Sequence, residues 1–163
     1  MTGDGSERDF DVSRRKYRPG AFFRLSLTDG SFGYGRLLES PHVAFYDHRT
    51  QAPDPEMDGI ASKPILFTVA VNLLALNAWA SIGWKPLEAH LSQPIVRFRQ
   101  DVGDFRRCTL FDTAGNQRAA EPRECVGLER AAVWEQASVE ERLLDAFHGR
   151  PNAAVEHLKV RLS

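Results

Sequence analysis

The sequence predicts an α+β fold in which a curved antiparallel sheet, or a small SH3-like partial barrel, is followed by two C-terminal helices. Two observations lead to this prediction. Residues 20–47 alternate around an early tight turn in the way that is typical of short strands with one buried face. Residues 138–162 carry apolar side chains at helical spacing, interrupted once by glycine and proline. A sheet with its helices gathered at one end of the chain is an α+β architecture.

The first two strands are predicted to form a hairpin. Apolar side chains occupy every second position of the first strand, at Phe23, Leu25 and Leu27. Asp29-Gly30 supplies the turn, because this dipeptide favours hairpin connections. The returning strand carries Gly33 and Gly35 on one face, and each glycine weakens a strand by up to about 1 kcal/mol. We therefore expect either a tightly curved strand or another group that closely approaches its backbone.

The strand pattern continues through the middle of the chain. A third strand is predicted over 43–47, and the proline-rich run 49–64 is expected to be a long surface loop. Residues 65–71 are rich in β-branched and aromatic side chains, which indicates a buried strand. Two further strands are predicted at 95–100 and 109–111.

The segment 73–80 fits two periodicities. Leu73, Leu76 and Ala80 would share one face of a short helix, whereas Leu74, Leu76 and Ala78 would share one face of a strand. We favour a turn followed by a strand through Trp79 to Trp84.

The C-terminal region reads as two helices. Ser138 and Glu141 form a predicted capping box that begins the first helix, and Gly149 with Pro151 ends it. Asn152 is placed to cap a second helix.

Composition limits the classes of function. With 21 basic and 22 acidic residues among 163, the net charge is −1, which argues against nucleic-acid or membrane-surface partners. The two cysteines, Cys108 and Cys125, form no C-x-x-C motif and are expected to be reduced thiols in a cytoplasmic protein. We expect a flexible tail over residues 1–16 and a single domain over residues 17–163.

His42, Asp47 and His48 are the candidates for a metal site, because they lie within one short segment. A catalytic metal needs three converging ligands and an open position for water. In a regular strand Asp47 points away from the two histidines, and no H-E-x-x-H motif supports them. We therefore expect no catalytic residues, no metal and no cofactor.

Short glycine- and aromatic-rich motifs occur in a fixed order along the chain. They are Gly20, Leu27 to Gly30, Tyr34-Gly35-Arg36, Ala44 to Asp47, residues 64–69, Trp79, Ile82-Gly83, Pro86-Leu87, residues 127–129, Val133-Trp134 and residues 139–143. In order and spacing they resemble the Imm26 family of bacterial immunity proteins, over about residues 16–160.

The resemblance implies an intracellular, non-catalytic immunity protein. Its partner would be the cognate toxin domain of a polymorphic toxin system, a protein, with no nucleic acid and no membrane involved. The family's description also includes a small phosphotriesterase. The alternative function is therefore a small metal-dependent phosphotriester hydrolase, with its metal at or near His42 and His48.

Five side chains are predicted to contact the partner: Tyr34, Arg36, Tyr46, Asp47 and Trp84. Tyrosine, tryptophan and arginine supply most of the energetically important contacts at protein interfaces. We expect an exposed edge of the first hairpin, around Tyr34 and Arg36, to form much of the contact together with the loop 49–63. In the alternative interpretation Arg36 is internal and pairs with Asp47 or Glu129.

Overall fold

The computed structural model describes residues 16–163, which fold into two open, curved β-sheets and a set of short helices. The strands of the larger sheet are β1 (Ala21–Ser26), β2 (Phe32–Leu37), β3 (His42–Tyr46), β4 (Ile65–Val71), β5 (Ala80–Trp84) and β9 (Val133–Trp134). The strands of the smaller sheet are β6 (Val96–Gln100), β7 (Cys108–Asp112) and β8 (Gln117–Ala120). Within the described residues the α-helices are α1 (Met57–Ala61), α2 (Leu73–Ala78), α3 (Gln136–Phe147) and α4 (Ala153–Leu158), and short 3-10 helices lie at Ala89–Leu91 and Pro122–Cys125.

The larger sheet has the strand order β5-β1-β2-β3-β4-β9. Its first five strands pair antiparallel, and β9 adds at the edge in parallel with β4. Bulges interrupt the pairing next to Phe22 and next to Phe45, and bulges of this kind bend a sheet and increase its twist. The predicted α+β class, the first hairpin and the two C-terminal helices are confirmed. The sheet is open and does not close into a barrel.

Both faces of the larger sheet are covered. One face carries Phe23, Leu25 and Phe45 and packs against α2 and α3 in the main core. The other carries a smaller aromatic cluster of Phe22, Tyr34 and Tyr46, which is capped by Ile60 from α1. Successive side chains of a strand point to opposite faces, so a strand with two covered faces reads as almost continuously apolar.

Gly33 explains why α3 packs closely against the sheet. A Cβ atom at this position would lie 2.4 Å from Cδ2 of Leu143, a fully buried side chain of α3. The expected close approach to the glycine-rich strand is therefore correct, and the group that approaches is part of this chain.

One segment, residues 129–134, joins the two sheets. The Phe98 N–H donates to the Glu129 carbonyl at 3.2 Å, and the Ala131 N–H donates to the Phe98 carbonyl at 2.8 Å, so the segment lies along the free edge of β6. Immediately afterwards the chain enters β9, which pairs with β4. The smaller sheet is therefore tied to the larger one through backbone hydrogen bonds.

Three local predictions differ from the structure. The loop 49–64 contains α1, and residues 73–78 form a helix because the Asn72 side chain accepts a hydrogen bond from the Leu74 N–H at 3.0 Å. The strand predicted through Trp79 to Trp84 is present as β5. Helix α3 begins at Gln136, two residues before the predicted cap at Ser138. The predicted tail, residues 1–16, lies almost wholly outside the described residues.

No helix within residues 16–163 combines the length and the apolar character that crossing a bilayer requires.

Gly33→Ala is expected to destabilise the fold by about 1–2 kcal/mol, because the new methyl group displaces a buried leucine in a packed core. Urea unfolding measures this change in free energy. Gly59→Ala in α1 is the matched control, since the atom nearest to a Cβ at this position, Cβ of Glu56, is 3.9 Å away. This change is expected to leave the free energy of unfolding unaltered or to raise it slightly. Combining Gly33→Ala with Leu143→Ala should cost less than the sum of the two single changes. Additive costs would show that the two positions are not in contact.

Candidate partner-binding site

Arg36 lies on the central strand β2 and has no exposed surface. Its guanidinium donates to Glu88 Oε2 at 2.7 Å and to the carbonyls of Pro86 at 2.9 Å, Lys85 at 3.0 Å and Gly20 at 3.3 Å. A buried arginine is stable only when its donors are paired in this way. The guanidinium therefore binds the sheet to the connection that follows β5.

The surroundings of Arg36 are shaped to receive it. The guanidinium carbon lies 4.4 Å from the centre of the Phe22 ring, which gives a cation–π contact. Gly20 has a φ of +106°, and a Cβ atom there would lie 2.0 Å from the Lys85 carbonyl oxygen, so only glycine fits. The backbone N–H of Glu88 and the Arg36 guanidinium both lower the pKa of the Glu88 carboxyl.

Tyr34 fastens the loop that follows β3. Its hydroxyl accepts a hydrogen bond from the Asp54 N–H at 2.9 Å and lies 2.6 Å from Oγ1 of Thr50. The ring centre of His48 lies 5.0 Å from that of Tyr34, and His48 Nε2 is 2.8 Å from Oδ2 of Asp54. Tyr34, His48, Thr50 and Asp54 thus form a clasp that holds the loop against the sheet.

Tyr46 belongs to the same covered face. It stacks on Phe22 with ring centres 6.5 Å apart and is 1% exposed. Among the described residues its hydroxyl has no hydrogen-bond partner, and burial raises the pKa of that hydroxyl.

Asp47 and Trp84 are the two predicted contact residues that reach the surface. Asp47 follows the end of β3 and is an exposed residue. Trp84 packs partly against the main core, donates from Nε1 to the Pro19 carbonyl at 2.8 Å and lies beneath the Arg18 guanidinium. The structure therefore groups Tyr34, Arg36 and Tyr46 on one covered face and does not bring Asp47 or Trp84 into that group.

The expectation of an exposed hairpin edge at Tyr34 and Arg36 is wrong. Strand β2 is central, α1 and the loop cover one of its faces, and Leu143 occupies the glycine-rich face. Arg36 is internal, as in the alternative interpretation, but its partner is Glu88.

The two acceptors proposed for Arg36 in that interpretation lie elsewhere. Glu129 instead accepts from Arg142 at 2.6 Å, and Asp47 is an exposed residue. Glu88 was missed because it lies 52 residues from Arg36 along the chain, and the other three acceptors of Arg36 are backbone carbonyls, which have no sequence signature.

The histidines considered as metal ligands have other roles. His42 is 2% exposed, and its Nδ1 lies 3.2 Å from the Glu39 carbonyl. Burial, followed by the nearby Arg97, lowers the pKa of His42. His48 is held by Asp54 in the clasp. Within residues 16–163 no three histidine, cysteine or acidic side chains are grouped so that they could hold a metal ion.

Arg36→Ala is expected to lower the free energy of unfolding by about 3 kcal/mol, because several buried acceptors lose their donor. Arg36→Lys should lower the free energy of unfolding less, since the lysine ammonium replaces some of the hydrogen-bond donors of the guanidinium. Arg123→Ala, at a side chain that is 82% exposed, is the control and should stay within about 0.5 kcal/mol. Thermal and urea unfolding measure these changes. An Arg36→Ala protein as stable as its parent would mean that the network adds nothing to the fold.

His42 is expected to make the fold less stable in acid. Its pKa is lowered in the folded state. Below the ordinary value of 6.5 the unfolded chain therefore binds more protons than the folded chain, and the free energy of unfolding decreases as the pH is lowered. His42→Gln removes this contribution, and the free energy of unfolding should then decline less between pH 7 and pH 5. The same change at exposed His90 is the control. An unchanged pH slope in His42→Gln would contradict the assignment.

Comparison with known proteins gives one match. The model of the family described as Immunity protein 26, Imm26, matches residues 18–109, from the turn before β1 into β7. No curated protein and no solved structure matches the chain. The matched part contains Arg36, Glu88, the clasp and all five predicted contact residues, and it covers more than half of the sequence. On this evidence the chain belongs to the Imm26 family of immunity proteins.

Proposed function

We propose that this protein neutralises the cognate toxin domain of a bacterial polymorphic toxin system by binding it, without chemistry on the toxin. The observation that carries the proposal is the family match over residues 18–109. The proposed site of action is the cytoplasm, where the buried free thiols Cys108 and Cys125 would stay reduced.

The arrangement of polar groups supports binding over catalysis. Arg36, Tyr34 and His48 are all engaged in bonds that hold loops to the sheet. Side chains held in such bonds keep the adjacent loops rigid, and a rigid surface loses less conformational entropy on association. A hydrolytic metal site instead needs converging ligands with an open position, and His42 is buried at the start of β3.

Burial reduces the number of predicted residues that a partner can contact directly. Tyr34, Arg36 and Tyr46 are covered, so their proposed part is to hold the loops in shape. Asp47 and Trp84 have surface to offer a partner and are kept as candidate contacts.

The test is co-expression with the toxin domain encoded beside the gene for this chain. The immunity protein should restore growth of a bacterial host that produces the toxin domain, and the two proteins should co-purify in equal amounts. Purified protein should show no turnover of paraoxon, before or after treatment with a chelator. Absence of rescue, together with metal-dependent paraoxon hydrolysis, would replace this function by the phosphotriester hydrolase.

Asp47→Arg examines the candidate contact in the same assay. Reversing an exposed charge at an interface is expected to weaken toxin binding by about tenfold. Glu141→Arg, a charge reversal at another exposed residue, on α3, is the matched control. Equal affinity for both variants would remove Asp47 from the interface.

A further inference from the structure

Strand β8 leaves one edge of the smaller sheet open. The sheet has the order β6-β7-β8, and the other edge, on β6, is taken by the segment 129–131. Among residues 16–163 no backbone group outside β7 pairs with β8. Three of its four residues, Gln117, Arg118 and Ala119, are exposed.

The register determines which backbone groups are free. The Asp112 N–H donates to the Asn116 carbonyl at 3.0 Å, and hydrogen-bonded pairs alternate along an antiparallel ladder. Arg118 and Ala120 therefore bond to β7, whereas the N–H and carbonyl groups of Gln117 and Ala119 point outwards. The Arg118 side chain reaches the Ala119 carbonyl at 3.3 Å, which is consistent with that carbonyl facing away from β7.

A pocket lies across the three strands of the smaller sheet, next to the turn between β7 and β8, and reaches β8. It has a volume of about 330 Å³, and its lining includes Val96, Leu110, Phe111, Gln117 and Arg118. Val96 is 44% exposed there. A sheet edge with free main-chain groups and an adjacent pocket fits an added strand, which gains affinity from its backbone and specificity from alternate side chains.

A second copy of this chain fits the edge poorly. The register that pairs both outward-facing residues sets Gln117 of each copy against Ala119 of the other. Arg118 would then face Arg118, and like charges directly opposite each other destabilise a strand pair. Within this chain Arg118 Nη1 pairs with Glu124 Oε1 at 3.0 Å. An acidic residue of a partner strand at that position would bring a second carboxylate to the same guanidinium, whose five donors can serve more than one acceptor.

We propose that β8 is the docking edge for an extended strand of the toxin domain, with an acidic residue opposite Arg118 and an apolar residue on the same face. This inference rests on the proposed function, and it deepens that function by naming the contact. The family match ends at residue 109, within β7, so β8 lies in the part of the chain outside it. A docking edge in that part of the chain would let the partner-binding residues differ between proteins that share the matched scaffold.

The test measures affinity for the same toxin domain, made inactive, with four variants. Ala119→Pro removes an outward N–H and leaves the bonds to β7 in place, so binding should weaken about 10- to 100-fold. Ala153→Pro is the matched control, because proline is tolerated at the first position of α4, and its affinity should equal that of the parent. Arg118→Glu should weaken binding more than Arg118→Gln does.

Hydrogen exchange on the unaltered protein gives a second measurement. The Gln117 and Ala119 amides should become protected when the toxin domain binds. Binding without this protection overturns the docking edge and leaves the proposed function standing, whereas no binding and no growth rescue overturns both. Protection that appears in the chain alone, together with a dimeric mass, assigns the edge to self-association and overturns the proposal.

Discussion

The buried guanidinium of Arg36 is the interaction on which the larger sheet depends. It lies on the central strand, where no water reaches it, so each of its donors needs an acceptor from the protein. Those acceptors come from just before β1 and from the connection after β5, segments that are far apart along the chain. Satisfying one side chain therefore fixes the start of the sheet, its edge strand and the connection beyond it.

At the other end of the covered face, one side chain again holds more than one segment of the chain. Tyr34 uses one hydroxyl to hold two points of the loop after β3, and His48 and Asp54 complete the clasp. Side chains that look like binding or catalytic groups by type are here engaged in organising loops. The loops beside these side chains consequently have fixed shapes.

Local periodicity was enough to predict the first hairpin, the strand at residues 65–71 and the C-terminal helices, because each of these follows from neighbours in sequence. The start of α3 was misplaced because a tertiary hydrogen bond from Asn72 to Glu135 reinforces an earlier boundary. Burial of Arg36 was only one of two alternatives, since its acceptors include carbonyls that any residue carries. The pairing of Gly33 with Leu143 joins distant parts of the chain, and no local pattern contains it.

The C-terminal part of the chain completes structures that the N-terminal part begins. Leu143 fills the space above Gly33, β9 extends the sheet beside β4, and the segment before β9 ties in the smaller sheet. During synthesis the first strands are made before these later residues, so an apolar face and a sheet edge stay uncovered until the later residues are made. Such non-local contacts slow folding and leave the nascent chain prone to aggregation. Complete folding of this domain is therefore expected only after residues 129–143 have left the ribosome.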